Sequence, residues 1–138
     1  MRPPDFTVGD KTEPYMERWH VLPRNSWFNI YLHHFLHSDE DEALHDHPYL
    51  WNISLLLRGN YLEHLPGGRV KLRRSPRLVF RWGRATHRIE LIAEAPVWTL
   101  FLTGPRVREW GFYCPQGWKH WREFVNARDS GPNSKGCG

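Results

Sequence analysis

The feature that most limits how this chain can fold is a succession of short apolar stretches separated by glycine and proline. The stretches recur every eight to twelve residues, and in several of them apolar and polar side chains alternate. Alternation with a period of two is typical of strands that bury one face. No long segment has the 3.6-residue period of an amphipathic helix. The pattern therefore predicts an all-β sandwich or barrel.

The predicted strands share an enrichment in β-branched and aromatic residues. They cover residues 15–22, 27–36, 50–57, 61–65, 70–72, 77–82, 86–92, 97–103 and 108–113. Arg58, Gly59 and Asn60 form a turn signal, so we expect strands 50–57 and 61–65 to pair as a hairpin.

The length and the composition of the two ends predict a single domain. A chain of 138 residues can build one sizeable core but not two. Residues 1–14 carry three prolines and several charges, and we expect a flexible N-terminal arm there. Residues 126–138 are rich in glycine, serine and other small or polar side chains, which predicts a disordered tail. The folded domain is expected over residues 15–125.

Charge and composition narrow the classes of partner. The net charge is +4, carried mostly by arginine without a basic block, so binding to nucleic acid is not expected. No segment approaches the roughly 18 apolar residues of a membrane span. The two cysteines, Cys114 and Cys137, do not make a disulfide framework, which favours a reducing, cytoplasmic setting. An open sheet edge with abundant aromatic residues predicts a homodimer.

The stretch from Leu44 to Gly59 is where residue types and spacing point together at chemistry. His45 and His47 are one residue apart, so in an extended chain their side chains project on the same side. Neutral imidazole is the commonest nitrogen ligand of metals in proteins. An apolar strand follows and stops at Gly59. This arrangement predicts that His45 and His47 share one metal ion.

The same stretch resembles the first signature of the cupin superfamily, G-x5-H-x-H-x4-E-x6-G. His45, His47 and Gly59 fall at matching places, Asn52 stands at the glutamate position, and Asp39 replaces the leading glycine. The second signature, G-x5-P-x-G-x2-H-x3-N, is matched more weakly. His87 takes the histidine place, Arg84 replaces the second glycine with Gly83 one residue early, and Leu91 replaces the asparagine.

The resemblance covers roughly residues 25–115 and extends to small cupins of unassigned function through the block Glu109 to Pro115. It implies a double-stranded β-helix, the cupin jelly-roll barrel, with a divalent transition metal inside the barrel mouth. A third ligand from another strand would close one face of an octahedron. His87 is the best candidate, because it begins an alternating strand just after a glycine break.

The difference at Asn52 shapes the expected chemistry. Three neutral imidazoles leave a divalent site at a charge of about +2, which favours an anionic or thiolate ligand. Asn52 is expected to bind weakly as a fourth ligand through its carbonyl oxygen or to orient a ligand ring by a hydrogen bond. The arginine that would receive a substrate carboxylate is not singled out: Arg58, Arg81 and Arg88 are all candidates.

Other titratable residues give weaker signals. His33 and His37 are four residues apart, so on a strand both could line the metal-facing side as proton-transfer groups. Alternatively, one histidine of the cluster His33, His34 and His37 points inward and the others are solvated or lie at a sheet edge. Glu63 and Glu90 are low-ranked acid or base candidates, and the role of Cys114 is open.

Three functions remain open from the sequence. The first is a three-histidine Fe(II) oxygenase acting on a small polar or anionic molecule, similar in its ligand set to thiol dioxygenases; Zn, Mn or Ni would also suit the site. The second is a cupin isomerase or epimerase that uses Zn, Mn or no metal. The third is a non-catalytic small-molecule-binding or assembly module. Fold alone does not choose among them.

Overall fold

A computed structural model of the chain describes residues 2–9, 12, 14–38 and 44–121. Strands dominate this part, and two short 3₁₀ turns, Pro66–Gly68 and Ile92–Glu94, connect some of them. The strands are β1 (Phe6–Gly9), β2 (Pro14–His20), β3 (Asn29–Phe35), β4 (Leu44–His45), β5 (Trp51–Arg58), β6 (Asn60–Leu65), β7 (Arg69–Arg74), β8 (Arg77–Trp82), β9 (Arg88–Leu91), β10 (Val97–Thr103), β11 (Gly111–Cys114) and β12 (Gly117–His120). The all-β prediction is confirmed.

The strands form two facing layers. One layer is a six-stranded sheet in the order β1-β2-β3-β10-β5-β8. The other consists of two three-stranded sheets, β7-β6-β9 and β12-β11-β4. An isolated antiparallel bridge between His45 and His87 joins these two smaller sheets, because it lies where β4 meets the start of β9. The strand pairs within the sheets are antiparallel.

The interior between the layers is apolar at one end and polar at the other. Strand β10 buries every second side chain, beginning with Val97 and ending with Thr103. At the Val97 end, side chains from both layers meet in a core cluster: Leu56, Tyr61, Leu91 and Val97. At the Thr103 end, the buried inward positions are polar. A functional site is therefore expected at the polar end.

The predicted hairpin between residues 50–57 and 61–65 is wrong. Strand β5 pairs with β10 and β8, whereas β6 pairs with β7 and β9 in the opposite layer. Gly59 lies at the change of layer with φ of +94°, a conformation that L side chains rarely adopt. A glycine between two apolar stretches marks a sharp change of direction equally well for a hairpin and for a crossing between sheets.

The two ends of the chain differ in what the structure shows. Residues 6–9 of the expected N-terminal arm form β1, which pairs with β2. The Trp19 indole N–H donates to the backbone carbonyl of Arg2 at 2.8 Å, so this part of the arm packs on the sheet. The expected C-terminal tail, 126–138, lies outside the described residues.

Cys114, in β11, is disulfide-bonded, and Cys137 lies outside the described residues. Disulfides persist mainly in oxidising compartments. Cys114 therefore gives no support to the expected reducing setting, and a cytoplasmic location stays a prediction.

Two surface features bear on partners. Helices long and apolar enough to cross a membrane do not occur in the described ranges. Strand β8 is the last in its sheet and exposes three large apolar side chains, Leu78, Phe80 and Trp82. An apolar edge of this kind suits strand pairing with a second copy; the homodimer stays a prediction.

Candidate metal centre

The sheet geometry brings His45, His47 and His87 to one place. His45 and His87 exchange two backbone hydrogen bonds, each 3.0 Å long, so they lie directly opposite each other on neighbouring strands. His47 follows His45 by two residues and shares its face. One potential ligand atom from each of the three rings lies within 4.8 Å of the others. These are the three residues that the sequence predicted as metal ligands.

The spacing of the rings fits a shared ion. The Nε2 atoms of His47 and His87 are 3.3 Å apart. Two nitrogens bound to one ion at about 2.1 Å and at octahedral or tetrahedral angles would be roughly 3.0–3.4 Å apart. The ring centroid of His45 lies 5.3 Å from that of His47 and 4.9 Å from that of His87. The three rings therefore converge without stacking on one another.

The three imidazoles are held in the neutral form that a metal requires. Burial, with Arg81 as the next cause, lowers the pKa of His45 to about 4. Burial and Arg81 likewise lower the pKa of His87 to about 4, although Glu63 opposes them. The pKa of His47 falls well below its usual value, first through burial and then through the neighbouring His87. A neutral imidazole has a free lone pair, so no proton competes with an ion near neutral pH.

Glu63 fixes the orientation and tautomer of His87. Its carboxylate has no exposed surface and accepts a hydrogen bond from Nδ1 of His87 at 2.7 Å. Because the carboxylate only accepts, the ring proton lies on Nδ1 and the Nε2 lone pair faces His47. A carboxylate in this position also raises the basicity of a ligating histidine.

Two arginines hold Glu63 in place. The guanidinium of Arg73 donates to Oε1 at 2.6 and 3.0 Å. The guanidinium of Arg81, from the opposite layer, donates to Oε2 through both Nε and Nη2. Burial tends to raise the pKa of Glu63, but the hydrogen bond from His87 and the charges of the arginines outweigh it and hold the pKa well below its usual range. Glu63 is therefore ionised, and the group formed with Arg73 and Arg81 is net positive.

Sequence reasoning missed this role of Glu63. It ranked Glu63 as a weak acid or base candidate, because a lone glutamate on a strand is more often exposed. The alternation of β6 places Glu63 two residues after Tyr61, on the buried face. The two-residue spacing from Tyr61 could have indicated that Glu63 is buried. It could not identify the arginines that neutralise the carboxylate.

Asp46 anchors the segment between the two ligand candidates from the opposite side. Its buried carboxylate accepts from the Gly111 backbone N–H at 2.7 Å and forms an ion pair with Arg108 at 2.8 Å. Arg108 also donates to the carbonyl oxygens of His47 and Gly83 at 3.1 and 3.2 Å. Asp46 therefore ties the His-x-His segment to β11.

Asn52 lies in a polar row that crosses four adjacent strands. The register pairs Asn29 with Thr103, Thr103 with Asn52, and Asn52 with Arg81. Neither amide atom of Asn52, nor the Thr103 hydroxyl, has a hydrogen-bond partner within the described residues, although all are buried. The same is true of Nδ1 of His47. Buried polar atoms are nearly always paired in native proteins, so these atoms fit a site that receives a ligand.

The other histidines are placed apart from one another. His33 is buried inside the barrel and accepts a hydrogen bond from Nε of Arg18 at 2.9 Å. His34 stacks on Trp98 on the outer face at 4.0 Å, and His37 lies 3.6 Å from Glu94. Only His33 of this cluster packs against Phe101. One member points inward and the other two are partly exposed.

The three arginines considered as partners of a substrate carboxylate lie in different surroundings. Arg81 is buried and committed to Glu63, whereas Arg58 is exposed and Arg88 is half-buried on β9. Arg81 therefore contributes positive charge near the three histidines, and its bond to Glu63 leaves no free guanidinium edge for a substrate carboxylate.

The chain is similar in fold to several solved structures, whereas no protein-family model and no curated protein matches it. A conserved protein with a double-stranded β-helix domain from Klebsiella pneumoniae is 16% identical, with a TM-score of 0.58 over 78% of this chain and 90% of that one. A cupin-like protein from Thermotoga maritima is 12% identical, with a TM-score of 0.56 over 75% and 79% of the two chains.

HppE in its Fe(II) form is 10% identical, with a TM-score of 0.59 over 71% of this chain and 54% of that one. Identities this low carry the fold and not the activity. The double-stranded β-helix prediction is thus confirmed. The three histidines that the sequence predicted as ligands lie together and could hold a metal ion. The chain has the fold of the cupin superfamily.

Proposed function

We propose that this chain is a metal-dependent cupin enzyme, a non-haem Fe(II)-type oxygenase that acts on a small polar or anionic molecule. The observation that carries the proposal is the convergence of three neutral imidazoles from His45, His47 and His87 on one inner face. A divalent transition metal bound there would supply Lewis acidity and, as Fe(II), redox chemistry with dioxygen.

Iron is favoured over zinc because an octahedral ion with three nitrogen ligands keeps several open positions, whereas a tetrahedral zinc would keep one. Three nitrogen ligands on one face leave coordination positions for a substrate and an oxidant, as in facial sites of non-haem oxygenases. Zn, Mn and Ni also accept imidazole ligands, and the metal content of the protein distinguishes them.

The residues around the histidines would prepare the site. Glu63 keeps the proton of His87 on Nδ1, and Asp46 with Arg108 holds the segment that carries His45 and His47. The phenyl ring of Phe101 lies 6.4 Å from the His47 ring and gives the site an apolar wall on that side. Asn52 offers an amide donor and an amide acceptor that no other described residue uses.

An isomerase or epimerase has less support, because it needs a free base near the site. The one buried glutamate of the described interior, Glu63, is bound to two arginines and a histidine and has a lowered pKa. Glu90 lies 3.0 Å from His64 at the partly exposed side of the sheet. Neither carboxylate is placed to abstract a proton from a substrate at the histidines.

The test is elemental analysis of protein purified without a metal-chelating resin. We expect about one transition metal per chain, and loss of that metal in His47→Ala with the fold retained. His64→Ala is the matched control, since His64 is a partly exposed histidine paired with Glu90. Full metal occupancy in His47→Ala would contradict the ligand assignment. Consumption of dioxygen upon addition of substrates separates an oxygenase from an isomerase, and a clean absence of metal favours a non-catalytic module.

A further inference from the structure

A cavity of about 280 Å³ opens at the polar end of the barrel. It is walled by the loop before β3, by two inward residues of β3, and by two residues further along the chain. The wall residues that carry the argument are Arg24, Ser26, Asn29, Tyr31, Tyr49 and Arg106. This volume suits a small molecule or one end of it, and the metal candidates themselves do not line it.

The wall is positively charged. It contains two arginines, Arg24 and Arg106, and no acidic residue. Both side chains are exposed, and neither forms an ion pair with another residue in the part of the chain that the structure describes. Two unpaired guanidiniums at one opening favour a ligand with anionic oxygens, which guanidinium binds in a fork.

A third arginine lies behind the wall. The guanidinium of Arg18 stacks on the Tyr31 ring at 4.4 Å, and its Nε donates to His33. Arg18 is half-buried and makes no ion pair with the described carboxylates. Burial and the nearby charge of Arg24 both lower its pKa. A partly buried cation without a counter-ion is less stable than a solvated one, so an anion in the cavity would stabilise Arg18.

The loop that carries Arg24 is already ordered for binding. The side-chain oxygen of Asn25 accepts from the backbone N–H groups of Trp27 and Phe28, both at 2.9 Å. The Asn29 side chain accepts from the Asn25 N–H at 3.0 Å and donates to its carbonyl at 2.8 Å. Both amides are thus engaged in holding the loop, and a preformed wall loses little conformational freedom when a ligand binds.

The cavity is one aromatic ring away from the histidines. Tyr31 and Tyr49 each pack against Phe101, with centroids 6.5 and 6.3 Å apart, and the same ring packs against His47. Asn29 at the cavity and Asn52 lie in the same row, two strand spacings apart. Two spacings amount to about 10 Å. An extended chain advances about 1.2 Å per bond, so a molecule with roughly eight bonds in a row would span this distance.

We infer that the cavity binds the anionic oxygen group, a carboxylate or a phosphate, of a small molecule whose other end reaches the three histidines. Arg24 and Arg106 contact the anion, and Arg18 adds charge from behind Tyr31. The part of the inference that concerns the histidines rests on the proposed function. The anion site itself stands on the cavity and its arginines.

The test uses the full chain without metal and two probes, inorganic phosphate and succinate, in titration calorimetry at constant ionic strength. We expect at least one probe to bind more tightly than chloride, and Arg24→Gln and Arg106→Gln each to weaken that binding about tenfold or more. The matched control is Arg74→Gln, because Arg74 is an exposed arginine on β7, outside the cavity. The probe that binds more tightly identifies the anionic group.

The inference is overturned if neither probe binds more tightly than chloride, or if Arg74→Gln weakens binding as much as Arg106→Gln does. The same titration with His47→Ala separates this inference from the proposed function. Retained binding in that variant supports an anion site that is independent of the metal. If the wild-type chain binds the anion but takes up no transition metal, the cavity assignment stands and the oxygenase proposal fails.

Discussion

Asn52 stands where the resembled signature has a glutamate, and a different carboxylate, that of Glu63, lies behind His87. Glu63 makes no approach to the ion site itself, because its oxygens are occupied by His87, Arg73 and Arg81. The Glu63 carboxylate thus orients His87, and Arg73 and Arg81 neutralise its negative charge. The immediate surroundings of the histidines keep their positive character, which agrees with the basic cavity nearby.

Replacement of Asn52 by alanine tests whether the side-chain amide of Asn52 stabilises the fold or binds a ligand. Both polar atoms of the Asn52 side chain are buried without a partner among the described residues, so Asn52→Ala should change the stability of the metal-free protein by less than about 1 kcal/mol or increase it. We expect weaker metal or ligand binding in the same variant. Urea unfolding and metal competition measure the two effects.

Asn29→Ala is the control for that experiment. Asn29 is equally buried, but its amide bonds to both backbone groups of Asn25. Its loss should cost about 1–3 kcal/mol of unfolding free energy. Equal destabilisation by the two variants would show that the Asn52 amide has a structural partner.

Replacement of Glu63 by glutamine should be costly in two ways. It leaves Arg73 and Arg81 buried without a counter-charge, and removing one partner of such a group costs about 3–5 kcal/mol. It also replaces the charged acceptor of His87 Nδ1–H by a neutral amide, which should lower metal affinity about 10- to 100-fold. Unfolding measurements and a competing chelator give the two values.

Glu90→Gln provides the comparison, because Glu90 pairs with a histidine at a partly exposed position. We expect it to cost less than about 1 kcal/mol and to leave metal affinity unchanged. If Glu63→Gln behaved like Glu90→Gln, Glu63 would have no part in organising the metal site.

At the level of elements, the segment that follows β4 and carries His47 is held by close backbone contact with the turn after β8. The carbonyl of Gly83 accepts the His47 N–H at 3.0 Å, and its N–H donates to the Leu50 carbonyl at the same distance. A Cβ on Gly83 would lie 1.9 Å from the Tyr49 carbonyl oxygen. The sequence showed Gly83 as a break in the strand pattern, but not this approach.

Gly83→Ala should therefore displace the segment that carries His47. We expect a loss of roughly 1–3 kcal/mol in unfolding free energy, typical of overpacking, together with weaker metal binding. Gly67→Ala is the control, since nothing lies within 4 Å of a Cβ there and only its φ of +79° opposes alanine. It should cost about 1–2 kcal/mol and leave metal binding intact. Undiminished metal affinity in Gly83→Ala would contradict the assigned role of this contact.

The elements that the sequence predicted correctly are those whose signal is local. Strand β10 was predicted with the observed bounds, because its alternation and its flanking proline and glycine are all in the sequence. The pair His45 and His47 follows from strand parity alone. Partners from distant strands are different: the contacts of Glu63 with Arg81 and of Arg18 with His33 depend on which strands face or pair, and periodicity does not specify that.

Considered as a whole molecule, the barrel combines an apolar core at one end with buried titratable groups at the other. His33 is the buried histidine that lies apart from the metal candidates. It accepts from Arg18 on β2 and stacks on Tyr31 of its own strand, 5.9 Å between centroids. Burial, reinforced by the charge of Arg18, lowers the pKa of His33 well below its usual value.

This lowered pKa makes the stability of the fold depend on pH in a definite direction. In the unfolded chain His33 takes up a proton as the pH falls below about 6.5, whereas in the folded chain it stays neutral until a much lower pH. Below about pH 6.5 the unfolded state binds more protons, so the free energy of unfolding falls with pH by up to about 1.4 kcal/mol per unit for this group. Above that pH the group contributes no slope.

His33→Asn removes this one group while keeping a polar side chain beside Arg18. The variant can differ in absolute stability. Between about pH 6.5 and 5 its unfolding free energy should fall less steeply with pH than that of the wild type, and the two slopes should differ by the equivalent of up to about one bound proton. Urea unfolding at several pH values measures the two slopes, and an NMR titration of the His33 ring measures the pKa directly. Equal slopes, or a ring that titrates near its usual value, would show that water reaches His33 and that the polar end of the barrel is open as far as Phe101.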